Sequence, residues 1–122
     1  MKLIIGTLLI SLKLFGQDSS TFHQKDAFMF SNKYVFYENG TFKHYYSTDD
    51  GQLWYGVGKY FDKGRERTLK FGEADTNFKL EYGLVHYETG IERIMIKKRR
   101  TFISTDYHNT TTKEKVTFVE KK

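Results

Sequence analysis

Four histidines, His23, His44, His86 and His108, are the side chains best suited to acid–base or metal chemistry near neutral pH, and no cysteine is present to assist them. None of the four stands in a close ligand pair. His44 and His86 fall on the expected inner faces of two strands, next to Tyr46 and Leu84. Meeting across a barrel mouth, they would need a carboxylate to complete a metal site; the ordinary role of such residues is a hydrogen-bonded core or rim position. Asp49 and Asp50 are adjacent, so in a strand they would point to opposite faces, and they suit a turn better than an acid–base pair. There is no Gly-x-Ser-x-Gly elbow and no glycine loop opening a helix onto a phosphate. The sequence therefore nominates no catalytic residue, no metal ligand and no cofactor, and it reads as a non-enzyme.

The densest charge cluster is Lys97-Lys98-Arg99-Arg100. With Arg65, Arg67 and Arg93 it would make a basic patch for an anionic glycan, a lipid head group or a protein partner. The plainer reading is a solvated strand end whose charges discourage edge-to-edge pairing. The full chain carries a net charge of +5, and much of it sits in the first residues. Removing Lys2 and Lys13 from the 20 basic residues leaves 18 against 15 acids, a net charge of +3. A nucleic-acid partner is not expected on that balance.

Those first residues have the layout of a secretory leader: basic Met1-Lys2, an apolar run from Leu3 to Leu12, and the small residue Gly16 before Gln17. The apolar run is shorter than the roughly 20 residues a membrane-spanning helix needs. Expected segments are a signal peptide over 1–16, a flexible lead-in over 17–26 and one β domain over 27–120. The product would be exported, periplasmic or extracellular, with no transmembrane segment after cleavage. Lacking cysteine, it would have no disulfide and must rely on its core.

That core is legible in the aromatics, eleven Phe, nine Tyr and one Trp, which favour pleated, half-buried surfaces. Turn signals recur at Glu38-Asn39-Gly40, Thr48-Asp49-Asp50-Gly51, Asp62-Lys63-Gly64, Glu73 to Asn77, Glu88-Thr89-Gly90, Lys98-Arg99-Arg100 and His108 to Thr112. Between them the residues alternate with period two. Phe42, His44 and Tyr46 share a face; so do Leu69 and Phe71, Ile94 and Ile96, and Val116 and Phe118. Phe78, Leu80, Tyr82 and Leu84 alternate most cleanly of all. About eight strands are expected, near 27–37, 41–47, 53–61, 66–72, 78–87, 91–98, 101–107 and 114–120. Three turns share one pattern, Tyr37-Glu38-Asn39-Gly40, Phe61-Asp62-Lys63-Gly64 and Tyr87-Glu88-Thr89-Gly90, each with a basic residue three further on. This reads as common turn chemistry at equivalent hairpin ends rather than as a true repeat. Asn39-Gly40-Thr41 and Asn109-Thr110-Thr111 match the glycosylation pattern but read as turns.

The stretch from Tyr37 to Phe71 runs Gly40-Thr41-Phe42, then Gly56-Val57-Gly58-Lys59-Tyr60, then Leu69-Lys70-Phe71. It resembles the small lipocalin-like (calycin-type) domains of exported Bacteroidetes proteins. The N-terminal Gly-x-Trp of true lipocalins is absent; Trp54 instead precedes Gly56 in mid-chain. Physically, Gly56 and Gly58 on one strand face permit the sharp coiling that closes a barrel. The expected fold is an all-β, antiparallel, up-and-down meander of about eight strands forming a closed or nearly closed small barrel, with a β-sandwich or open repeat sheet as the alternative. The resemblance implies a non-catalytic binding protein for a small apolar ligand, which would touch Phe42, Trp54, Tyr60, Phe78, Leu80 and Tyr82. The alternative function is an interaction module using Lys97, Lys98, Arg99 and Arg100 against a protein or an anionic glycan.

Overall fold

The computed structural model describes residues 18–109 and 114–121. The expected leader over 1–16, and Thr110 to Thr112 of the last turn, lie outside the described residues. Nine strands form: β1 (Ser19–Gln24), β2 (Phe30–Tyr37), β3 (Thr41–Thr48), β4 (Gln52–Lys63), β5 (Glu66–Phe71), β6 (Leu84–Glu88), β7 (Glu92–Lys98), β8 (Thr101–Asn109) and β9 (Glu114–Lys121). Two of them depart from the sequence expectation. The lead-in expected over 17–26 is largely a strand, because β1 fills the place between β2 and β9. The strand expected to start at Phe78 begins only at Leu84; residues 78–83 form an irregular loop in spite of their alternation.

Eight of these strands close into an antiparallel, up-and-down barrel. Each pairs with the next around the ring β1, β2, β3, β4, β5, β7, β8, β9 and back to β1. Closure leaves no sheet edge in that ring to template aggregation. The ninth strand, β6, runs parallel to the first half of β4, with Trp54 opposite His86 and Gly56 opposite Glu88.

The turns use the chemistry read from their residues. Gly40 and Gly51 adopt φ values of 87° and 86°, each donating its N–H back to the residue three before it. Asn39 Oδ1 accepts bonds from the N–H and hydroxyl of Thr41, pinning the first hairpin. The third copy of the shared turn pattern does something else. Gly90 (φ 65°) joins β6 to β7, two strands running the same way, so the chain steps sideways instead of reversing.

β4 explains why that step is needed. On one side it pairs with β3 along most of its length. On the other, Gly58–Lys63 pair with β5 and Gln52–Gly56 pair with β6. β5 ends at Phe71, level with Gly58, and β6 takes over below it. The crossover is tight: a Cβ on Gly58 would collide with the Lys70 carbonyl and lie 2.9 Å from Phe71 Cα. A Cβ on Gly56 would run into the Phe71 ring, which lies across this point of the barrel wall.

The interior is packed with side chains. Phe22, Tyr34, Phe36, Phe42, Leu69, Phe71, Met95, Phe102 and Phe118 form one buried cluster. Most of its ring pairs meet edge-on or tilted, as for Phe22 with Phe102 at 4.9 Å and Phe42 with Phe71 at 5.0 Å, while Tyr34 and Phe36 stack at 5.8 Å, all arrangements aromatic quadrupoles favour. On β7 the inner face is Arg93, Met95 and Lys97, not the isoleucine pair: Met95 is buried, while Ile96 is exposed. A smaller cluster sits outside the wall, where Phe78 stacks on Tyr55 at 4.1 Å and accepts a bond from the Tyr87 hydroxyl at its carbonyl.

Gly58→Ala should lower stability by about 3 kcal/mol or more, because the obstacle is backbone and cannot turn aside. For a domain near this size that is a fall in melting temperature of roughly 10 °C or more. Gly72→Ala, whose Cβ would be 3.8 Å from the nearest atom, is the matched control. Thermal melts that show equal small losses for both variants would refute the close-approach account.

Candidate functional site

The two barrel ends differ. At the end carrying the 38–40, 64–65 and 99–100 turns, Arg67 projects inward from β5. Its guanidinium lies 4.1 Å from the Tyr60 ring centre, 4.6 Å from Phe36 and 4.8 Å from Phe102. It pairs with Asp62 through two bonds, Nε to Oδ1 at 2.7 Å and the second nitrogen to Oδ2 at 2.8 Å. This fork, which the Arg67 bonds hold charged and so pull below the usual carboxylate range, caps the aromatic core. A cavity of about 250 Å³ lies above it. Lys97, Arg99 and Arg100 line that cavity, but so do Asp18, Glu38 and Glu120. Lys98 lies on the same hairpin, at the end of β7. Arg67 and Arg93 turn inward, so the patch of seven basic residues does not assemble on one surface.

The opposite end is an open cup of about 390 Å³, lined by Gln24, Phe30, Asn32, His44, Tyr46, Trp54, Glu88, Arg93 and Val116. Period-two placement brings inward residues of β1, β2, β3, β4, β6, β7 and β9 to this level. Along one wall the rings form a row: Phe30 to Tyr46 at 5.6 Å, Tyr46 to Trp54 at 5.6 Å, and Trp54 stacked on His86 at 4.6 Å. His86 is held in turn by Gln52, Nε2 to Oε1 at 2.9 Å.

The floor is polar and tightly connected. His44 is buried against the Tyr34 ring at 4.1 Å. Its Nδ1 meets Glu88 Oε1 at 2.5 Å, and its Nε2 meets Asn32 Oδ1 at 2.7 Å. Asn32 Nδ2 donates to Gln24 Oε1 at 3.0 Å. Arg93 closes the other side, 3.4 Å from Glu88 Oε2 and donating to the Tyr34 hydroxyl at 3.0 Å. Beneath them lies the Phe71 ring, 5.4 Å from the Arg93 guanidinium, which separates the cup from the core.

Donors at both nitrogens are the imidazolium form of His44. Burial disfavours that charge and takes its pKa below the ordinary 6.5, with the Arg93 charge acting the same way and the Glu88 bond opposing them. Glu88 and Asn32 occupy the two ring nitrogens, so neither is left facing the cup.

Of the six residues expected to touch a ligand, only Trp54 lines the cup. Phe42 is buried in the core, and Tyr60 lies at the other end, its hydroxyl donating to the Tyr37 carbonyl at 2.5 Å. Phe78, Leu80 and Tyr82 lie outside the barrel, where with Tyr45 and Leu53 they edge a surface groove of about 390 Å³. The strand expected over 78–83 does not form, so these three side chains do not face the barrel interior. The sequence reading passed over Gln24, Phe30, Asn32, Tyr46, Glu88, Arg93 and Val116 as cup residues. Face parity was the available signal: Asn32 shares a face with Tyr34 and Phe36, and Tyr46 with Phe42 and His44. Comparison with family models, curated proteins and solved structures finds no match to this chain.

A group whose pKa is depressed on folding binds its proton more readily when unfolded, so stability falls as pH drops below 6.5 towards the folded pKa. The protein should therefore be less stable at pH 5.5 than at pH 7.5. His23, also shifted downward, chiefly by burial, contributes in the same sense. His44→Gln should flatten the slope in part. Urea titrations at the two pH values check this, and a wild type more stable at pH 5.5 would reverse the assigned direction.

Proposed function

We propose that this protein is an exported, non-catalytic, lipocalin-like binding protein that takes a small molecule in the cup at the mouth of its barrel rather than deep inside it. The observation that carries this reading is an open recess of about 390 Å³ above a filled core, with a row of aromatic rings on one wall and a fixed polar floor. Small-molecule sites combine such apolar walls with a few well-placed polar groups. The barrel interior is filled by its own side chains, so the small ligand that the resemblance implies sits at the mouth rather than in the core. The non-catalytic part is supported by His44 and Glu88, whose reactive atoms are tied to each other, to Asn32 and to Arg93. Export is supported by the leader layout of residues 1–16.

The chain has one tryptophan, so Trp54 reports on the cup alone. In a screen of small aromatic compounds by ligand-observed NMR, binders should perturb the single indole N–H resonance. Trp54→Ala should weaken them by at least about tenfold, ~1.4 kcal/mol. Tyr82→Ala, an 85% exposed position in the outer groove, should leave them unchanged. Binders that respond to Tyr82 and not to Trp54 would move the site outside the barrel, and a screen with no binders would sink the reading.

A further inference from the structure

Hydrogen-bond accounting in the cup narrows the ligand further, on the footing that the cup is the binding site. We infer that the cup selects a flat, uncharged ring system carrying a carbonyl-type acceptor. Each acceptor on the floor already has a donor. Glu88 Oε1 is taken by His44 and Oε2 faces Arg93, while the amides of Asn32 and Gln24 bond to each other and to the imidazole. Two donors on the ring-lined wall have no hydrogen-bond partner among the described residues: the Trp54 indole N–H and the Tyr46 hydroxyl. An indole N–H can only donate, so a ligand lying on this wall gains by supplying an acceptor. Leaving a desolvated donor unmatched costs more than the bond itself returns, so a ring without an acceptor is discriminated against.

Shape and charge point the same way. Phe30, Tyr46 and Trp54 come from neighbouring strands and line one wall with rings tilted or edge-on to one another, and an aromatic partner can meet such rings by offset stacking or edge-on. A cation entering the cup meets Arg93 in its lining. An anion meets Glu88, which lies 3.4 Å from that arginine, so the two charges of the lining offset each other. Neither sign of charge is favoured, whereas a neutral carbonyl satisfies the donors at no such cost.

Three bicyclic probes of matched size separate these terms: naphthalene, which has the ring alone; coumarin, which adds a neutral carbonyl; and 2-naphthoate, which adds a charge. Titrations of the intact protein followed by the Trp54 indole N–H resonance should give coumarin a Kd at least about tenfold below that of naphthalene. Coumarin should also move the indole proton downfield. Trp54→Phe, which keeps a ring, removes the donor and is followed by ligand-observed NMR instead, should bring coumarin to the level of naphthalene, and Tyr46→Phe should weaken coumarin selectively. Equal binding of coumarin and naphthalene to the wild type would overturn the acceptor inference while leaving the cup as the site. Tighter binding of 2-naphthoate than of coumarin would overturn the neutral-ligand inference. Failure of all three to bind would overturn this inference and the binding reading together.

Discussion

The structure depends on one close approach, where β4 and β5 pass each other at Gly58. No side chain fits there, because the Lys70 carbonyl already occupies the place of a Cβ. Once β5 is drawn this close it can end at Phe71, and the lower half of β4 is free to pair with β6. Gly56, one step away on the same face, leaves room for the Phe71 ring to lie inward. That ring divides the barrel into a packed core and an open cup. A bulkier pair of residues would push β5 outward, and the ring that serves as the base of the cup would lose its position.

A barrel of eight strands encloses only enough space for its own inward side chains unless those are small. Here they are large: five Phe and Tyr rings from β1, β2, β8 and β9 fill the middle from one side, and Phe42, Leu69, Phe71 and Met95 from the other. The charged inward residues are therefore confined to the ends. Arg67 and Asp62 cap one end by lying flat on aromatic faces, which lets a charge sit against the core without leaving its carboxylate. His44, Glu88 and Arg93 occupy the other. Their difference is access: the first set is held beneath a charged rim, the second forms the lining of an open recess.

Much of the fold was legible because period two survives in nearly every strand. Phe42-His44-Tyr46, Leu69-Phe71 and Val116-Phe118 each lie on the inner face. Two failures are instructive. In Phe78 to Tyr82 the alternation is sequence pattern without a partner strand: that stretch is bypassed because β4 already has β3 and β6 on its two edges at this level. In β7 the isoleucines mislead, since Arg93 and Lys97 belong on the inner face at the two polar ends and Met95 on the core between them. The cup was out of reach for a related reason. Its residues come from β1, β2, β3, β4, β6, β7 and β9, and only the register of all of them places Trp54 opposite His86 and brings Glu88 beneath His44. The same register makes one turn pattern serve two ends, since Glu88 sits in what reads as a hairpin yet is a floor residue.

The cost of that floor is itself informative. Taking a carboxylate, an imidazole and a guanidinium out of water carries a penalty that their mutual attraction only partly offsets, and well-packed apolar residues of the same volume commonly do as well or better for stability. Phe71 and Tyr34 already show that this level of the barrel accepts rings. A chain selected for stability alone would have extended the aromatic core to the mouth. Keeping a hydrogen-bonded chain from Gln24 through Asn32, His44 and Glu88 to Arg93 instead fixes side chains at the bottom of an accessible recess, where orientation rather than burial is the gain. The same trade is absent at the other end, where Arg67 covers the core and its partner Asp62 lies half-exposed on the strand next to it. The asymmetry between a capped end and an orienting one is what favours the cup over the basic hairpin of Lys97 to Arg100 in the proposed binding reading.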